Sequence, residues 1–220
     1  MMKLKKAYFL SHTINEQTPF YAGKKDMIVL ENIKSIKKDD GCNMMHWSFP
    51  NHTGTHLDAP AHFIEKGLSV TDVKASDWFF DRVSSVEVIN IEPGHIIKPE
   101  DIKDISDCQL LLIRTGFERY RSEEIYWRNS PGLHPQLAGY LREKCPSLKG
   151  IGVDFISISN LNNRELGREA HIAFLGDDIF LIEDMRLSEL EGPPDLVIVA
   201  PLLIEASDGS PCTVFAMSEE

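Results

Sequence analysis

The chain has 220 residues, a hydrophobic fraction of 42% and a formal net charge of −11. That length and apolar content suit one domain spanning residues 1–220, with a substantial core. Acidity of this size argues against nucleic acid as a partner, because binding a phosphate backbone needs basic patches, and no polybasic segment offers itself to a membrane surface.

At the N-terminus the apolar run at 7–10 is too short for a signal-peptide core. No later run reaches the length of a transmembrane helix, so no membrane association is expected. Cysteines occur at 42, 108, 145 and 212, and none forms a C-x-x-C pair. A thiolate metal cluster is therefore not expected, and the default is a cytoplasmic protein with reduced thiols. Strand-like runs follow at 27–33 and 44–49, bounded by turn residues.

Next comes His52-Thr53-Gly54-Thr55-His56-Leu57-Asp58-Ala59-Pro60-Ala61-His62. His52, His56, Asp58 and His62 share one parity. In extended chain, residues two apart face the same side, so the first three would project together. Pro60 lacks an N–H and interrupts a regular ladder, so the chain leaves its strand there and can swing His62 round to the same centre. Two imidazoles and a carboxylate suit a divalent transition metal with an open coordination position. The competing reading is a polar loop whose histidines only hydrogen-bond. His62 can serve as a fourth ligand or as a general base. Gly54 lets the backbone pass close to an ion or forms an ordinary bulge, and Thr55 orients a neighbour or fills space.

Farther on, Trp78-Phe79-Phe80 reads as core, or with Trp47 as an aromatic pocket wall. A strand is expected at 85–91. Pro99-Glu100-Asp101-Ile102 looks like a helix start. The run 110–114 reads as a buried strand. Over 134–144, Leu137, Tyr140 and Leu141 fall at helical spacing, with Pro146 as a stop. Residues 150–154 read as strand, and 168–175 as a helix ended by Gly176. Strands are expected at 180–182, 196–204 and 213–217. Strands outnumber helices without alternating with them. That points to a mixed α/β fold with a barrel-like sheet flanked by helices, and away from a doubly wound parallel sheet.

The pattern His-x-Gly-Thr-His-x-Asp-x-Pro-x-His, filled at seven fixed positions, resembles the signature of the cyclase family of metal-dependent hydrolases. Bacterial kynurenine formamidases and isatin hydrolases belong to that family. Leu10-Ser11-His12 followed by Thr18-Pro19 is similar to its opening segment. Gly152-Val153-Asp154 is similar to a strand end of the family, and His171 with Glu183 to its distal ligand pair. The resemblance runs from about residue 7 to the C-terminus.

The resemblance implies a swivelling β/β/α architecture and a hydrolase acting on carbon–nitrogen bonds other than peptide bonds. It implies zinc or manganese as cofactor, one or two ions per chain. His171 and Glu183 would ligate a second ion bridged by Asp58, and His62 would be catalytic. The partner would be a small-molecule amide, N-formylkynurenine first and a cyclic amide such as isatin second. The chain itself would assemble as a homodimer or homotetramer. A metal that only staples loops, without turnover, is the reading from another class. Phe155-Ile156-Ser157 stands where the family often has Thr-Pro-Ser, and Cys212-Thr213 follows Pro211 where an Arg is often seen. Both departures bear on substrate preference. The chain has no G-x-S-x-G elbow, no G-x-G-x-x-G and no P-loop, so serine-hydrolase, dinucleotide and nucleotide chemistry lack their motifs.

Overall fold

The computed structural model describes residues 6–218. Its strands are β1 (Lys6–Phe9), β2 (Val29–Lys34), β3 (Met44–Ser48), β4 (His56–Asp58), β5 (Phe79–Phe80), β6 (Val83–Glu87), β7 (Ile96–Ile97), β8 (Leu110–Arg114), β9 (Gly132–Leu133), β10 (Gly150–Val153), β11 (Phe180–Glu183), β12 (Leu196–Pro201) and β13 (Gly209–Ser218). The helices are α1 (Glu124–Arg128), α2 (Gln136–Lys144) and α3 (Arg164–Leu175).

One sheet dominates, in the order β5-β12-β13-β4-β11-β10-β8-β6, with β1 also paired to β13. The strands β6, β8, β10 and β11 run parallel. Antiparallel β4 joins them to β13 and β12. The two ends of this order, β5 and β6, are separated in the chain only by Asp81 and Arg82. The sheet therefore curls until its edges meet, a nearly closed mixed barrel.

Alternation along each strand sorts side chains into two cores. Leu57, Leu110, Leu112, Phe180, Ile182, Val197, Val199 and Val214 fill the barrel. Leu111, Ile113, Ile151, Val153 and Leu181 face outward under the helices. Burying each such side chain contributes roughly 1.5–3 kcal/mol. Helix α3 covers this outer face with Gly167, Ala170, His171, Phe174 and Leu175, an i, i+3, i+4, i+7, i+8 stripe. His56, Asp58 and Glu183 alternate with Leu57 and Ile182. They therefore point away from the barrel interior, into the layer between sheet and α3.

Expected and observed elements differ at several points. β4 is only three residues long, and the backbone at His52 is a bend. Gly54 at φ +63° interrupts the extended register, so the parity argument does not hold for His52. The Pro99 segment is a single 3-10 turn, Pro99–Asp101. Helix α3 begins at Arg164, four residues before the expected start, and Gly176 caps it as expected. The strand expected at 85–91 lies at Val83–Glu87 because pairing with β8 sets its register. The short β5, β7 and β9 and the helix α1 carry too few residues to show a period. No described helix is long and apolar enough to cross a membrane.

Candidate metal centre and catalytic cavity

The register of β4 and β11 assembles the centre. Glu183 pairs with His56, and Leu181 with Asp58. His171 descends on them from α3. His56, Asp58, His171 and Glu183 are all buried. His56 Nε2 lies 3.4 Å from Asp58 Oδ1 and 3.5 Å from Glu183 Oε2. His171 Nε2 lies 3.6 Å from Asp58 Oδ2 and 3.6 Å from Glu183 Oε1. Neighbouring donors on a tetrahedron with bonds of about 2.0–2.2 Å stand about 3.3–3.6 Å apart. Each imidazole thus stands at about that spacing from both carboxylates, but through a different oxygen of each, so the donors fall into two groups that share Asp58.

Local bonds aim each donor. His56 Nδ1–H donates to the Gly54 carbonyl at 2.8 Å, and His171 Nδ1–H donates to the Gly167 carbonyl at 2.8 Å. Both rings therefore turn Nε2 toward the carboxylates, the tautomer a metal ligand needs. Ser157 Oγ and the Ile158 N–H donate to Glu183 Oε1 at 3.0 and 2.7 Å. Asp58 Oδ2 is buried with no hydrogen-bond partner among the described residues. Two carboxylates in a water-poor pocket call for positive charge. The imidazoles register that demand. Burial pulls His171 down, yet Asp58 and Glu183 outweigh it and push its pKa up to about 10. His56 is raised in the same way against its own desolvation. A divalent cation would meet the same demand, so the residues present fit a metal.

His52 and His62 form an adjoining group. His52 Nδ1 is 2.7 Å from Asp58 Oδ1, and its Nε2 is 3.2 Å from Asp208 Oδ2. A Cβ at residue 209 would overlap the His52 ring, which is why a glycine stands there. Pro60–His62 is a 3-10 turn that swings His62 back, as expected from Pro60. The His62 ring lies 4.0 Å from that of His52, and His62 Nδ1 is 2.8 Å from Asp208 Oδ2. Asp208 also accepts from Asn51 Nδ2 at 2.6 Å. Asp58 is common to two groups that could hold an ion, His52–His56–Asp58 and Asp58–His171–Glu183, and a third comprises His52, His62 and Asp208.

Thr55 ties the motif to its surroundings. Its hydroxyl accepts from the His12 N–H at 2.9 Å and donates to the Asp184 carbonyl at 2.5 Å. Asp184, at φ +52°, ends β11 just after Glu183. Its carboxylate takes a forked bond from Arg121, with Nε and Nη2 at 2.8 and 2.7 Å, and the Tyr126 hydroxyl at 2.6 Å. Asp154 of the Gly-Val-Asp strand end faces away from the centre. It accepts from Thr115 N and Oγ1 and from Gly116 N.

The donors lie at the floor of a cavity of about 470 Å³. Phe20, Tyr21 and Phe63 supply its aromatic wall. The aromatics singled out from sequence do not: Trp78 and Phe80 pack inside the barrel, Trp47 is exposed, and none lines the cavity. Asp208, Tyr21, Arg164 and Arg168 escaped the sequence reading. No spacing links them to the motif, and only the fold brings them there.

Comparison with known proteins finds sequence relatives and a shared fold. The family model described as "Putative cyclase" matches residues 8–160. A kynurenine formamidase of Bacillus cereus is 31% identical over 162 residues, covering 73% of each chain. Isatin hydrolase A from Labrenzia aggregata, solved bound to benzyl benzoate, superposes with a TM-score of 0.83 at 23% identity, over 98% of this chain and 94% of that one. A predicted metal-dependent hydrolase from Bacillus stearothermophilus superposes with a TM-score of 0.78 at 22% identity, over 97% and 98%.

Proposed function

Because the chain belongs to the Putative cyclase family, we propose that it is a metal-dependent hydrolase of carbon–nitrogen bonds other than peptide bonds, with an N-formyl aromatic amine such as N-formylkynurenine as substrate. The observation that carries this reading is the gathering of two donor groups that share Asp58, His52–His56–Asp58 and Asp58–His171–Glu183, on the floor of an aromatic-walled cavity. In this reading zinc or manganese would be held by either group or by both, with Asp58 common to the two. His52 belongs to the group with His56, and His171 and Glu183 to the other. A divalent cation there supplies charge that polarises an amide carbonyl and lowers the pKa of a water toward about 7.

The chain's own residues do the rest. Asp208 holds His62 by Nδ1, which leaves Nε2 with a lone pair to take a proton and hand it to the departing amine. Phe20, Tyr21 and Phe63 exclude water and receive an aryl ring. A cavity of about 470 Å³ has room for a substrate of one ring and a short chain. The cavity opens directly on the donors, which speaks against a metal that only staples loops.

A cyclic amide of the isatin type is the second reading, favoured by the superposition on isatin hydrolase A. Cytoplasmic location belongs to the proposal and is supported by four free cysteines. So does assembly as a homodimer or homotetramer, supported by the β2–β3 hairpin, which exposes Val29, Ile33, Met44, Met45 and Trp47. A panel of N-formylkynurenine, formanilide and isatin, followed by formate release or ring opening, tests the reaction class. Turnover of a formamide supports it. A metal-loaded chain inert toward all three contradicts it.

A further inference from the structure

Helix α3 brings more than His171 to the cavity. Arg164, Arg168 and His171 stand at i, i+4 and i+7, so all three lie on one face of the helix. Both arginines line the cavity, and Lys24, from the segment between β1 and β2, lines it too. At 1.5 Å of rise per residue, Arg168 sits about 5 Å and Arg164 about 10 Å along the axis from His171. The wall is therefore a ruler of positive charge leading away from the metal donors.

These cations are not spent on carboxylates. Among the described residues Arg82, Arg114, Arg121, Arg128, Arg142 and Arg186 each meet a carboxylate. Among the described residues, Arg164, Arg168 and Lys24 are in no such ion pair within 4.0 Å. Arg164 instead lies 6.0 Å from the Tyr21 ring centroid, a cation–π distance that steadies it at the cavity wall. The acidic groups lining the same cavity, Asp58, Glu183 and Asp184, lie with the metal donors, and Asp184 is already forked by Arg121. In a chain of net charge −11, three cations lining one cavity without a carboxylate partner among the described residues form a local reversal of the field.

We propose that Arg164, Arg168 and Lys24 form an anion-reading wall, which selects amides carrying a carboxylate about 5–10 Å from the scissile bond over neutral amides. The inference rests on the amide-hydrolase reading and deepens it by naming the charge of the substrate. Guanidinium groups suit the task because their planar donors grip a carboxylate two at a time. The wall acts on binding of the distant group and leaves the bond-breaking geometry alone.

The test compares N-formylkynurenine with its methyl ester, which differs by the single negative charge. Wild type, Arg164→Gln/Arg168→Gln and Arg164→Lys/Arg168→Lys are assayed metal-loaded. The wild type should prefer the acid. The Gln pair should lose roughly 10- to 100-fold in kcat/KM on the acid, through KM, with the ester unchanged. The Lys pair should recover part of that loss. Equal loss on acid and ester, or no loss on the acid, overturns the wall and leaves the hydrolase reading standing. Hydrolysis of neither compound by wild type overturns both. The two arginines are exposed, so melting temperature and metal content should match wild type throughout.

Discussion

His56 and Glu183 are directly opposed across the antiparallel pair β4–β11, with Nε2 and Oε2 3.5 Å apart. The ladder that closes the barrel thus also fixes two donors of the proposed metal centre. Glu183→Gln keeps an oxygen for Ser157 Oγ and the Ile158 N–H but removes a charge from the centre. Metal affinity, measured by competition with a chromophoric chelator, should fall by at least about 100-fold, with the circular dichroism spectrum unchanged. Unaltered affinity would remove Glu183 from the ligand set.

His62→Ala separates base from ligand. His62 meets Asp208, its ring lies 4.0 Å from that of His52, and among the described residues it forms no ion pair with Asp58 or Glu183. The variant should retain its metal and lose roughly 10²–10⁴ in kcat. A metal-free variant would make His62 a ligand, and full activity would end its catalytic role.

Gly54→Ala tests the backbone of the motif. The residue sits at φ +63°, and an added Cβ would come within 3.1 Å of Ile14 Cγ1. Its carbonyl also orients His56. Urea denaturation should show a loss of about 1–2 kcal/mol, and metal affinity should fall with it. A variant as stable as wild type would mean the loop relaxes to accept a side chain.

Asp154 gives a pH dependence apart from the metal. Burial pushes its carboxyl up to about 6, against the bonds from Thr115 and Gly116 that favour the charged form. Below about pH 4 the carboxyl is protonated in both folded and unfolded chains. Between about 4 and 6 the unfolded chain gives up a proton that the folded chain keeps, so this group's contribution to stability declines as pH rises, and levels off above about 6. The difference in urea midpoint between wild type and Asp154→Asn, measured from pH 4 to 7, should shift over that window. A difference independent of pH would contradict the raised pKa.

Legibility followed period and reach. β8 was readable to the residue, because Leu110, Leu111, Leu112 and Ile113 form a continuous buried run. β4 has three residues and no period of its own. The candidate metal centre was readable in part because His56 and Asp58 stand two apart on a true strand, while His52 arrives by a bend and Gly54 instead of by parity. His171 and Glu183 came from family resemblance, and both are buried beside Asp58. Asp208 sits far along the chain in the loop before β13 and gave no signal, and its place between His52 and His62 follows from β13 pairing with β4. Asp154, part of the resembling strand end, supports the Thr115 turn and does not reach the centre.

The central claim is that this chain hydrolyses an amide through a metal held at Asp58. Formate release from N-formylkynurenine is measured on chelator-stripped protein before and after stepwise addition of zinc or manganese. The account predicts negligible turnover in the stripped protein, restored in proportion to bound metal, and no restoration in Asp58→Asn. Full turnover by the stripped protein, or none at full metal occupancy, would contradict it.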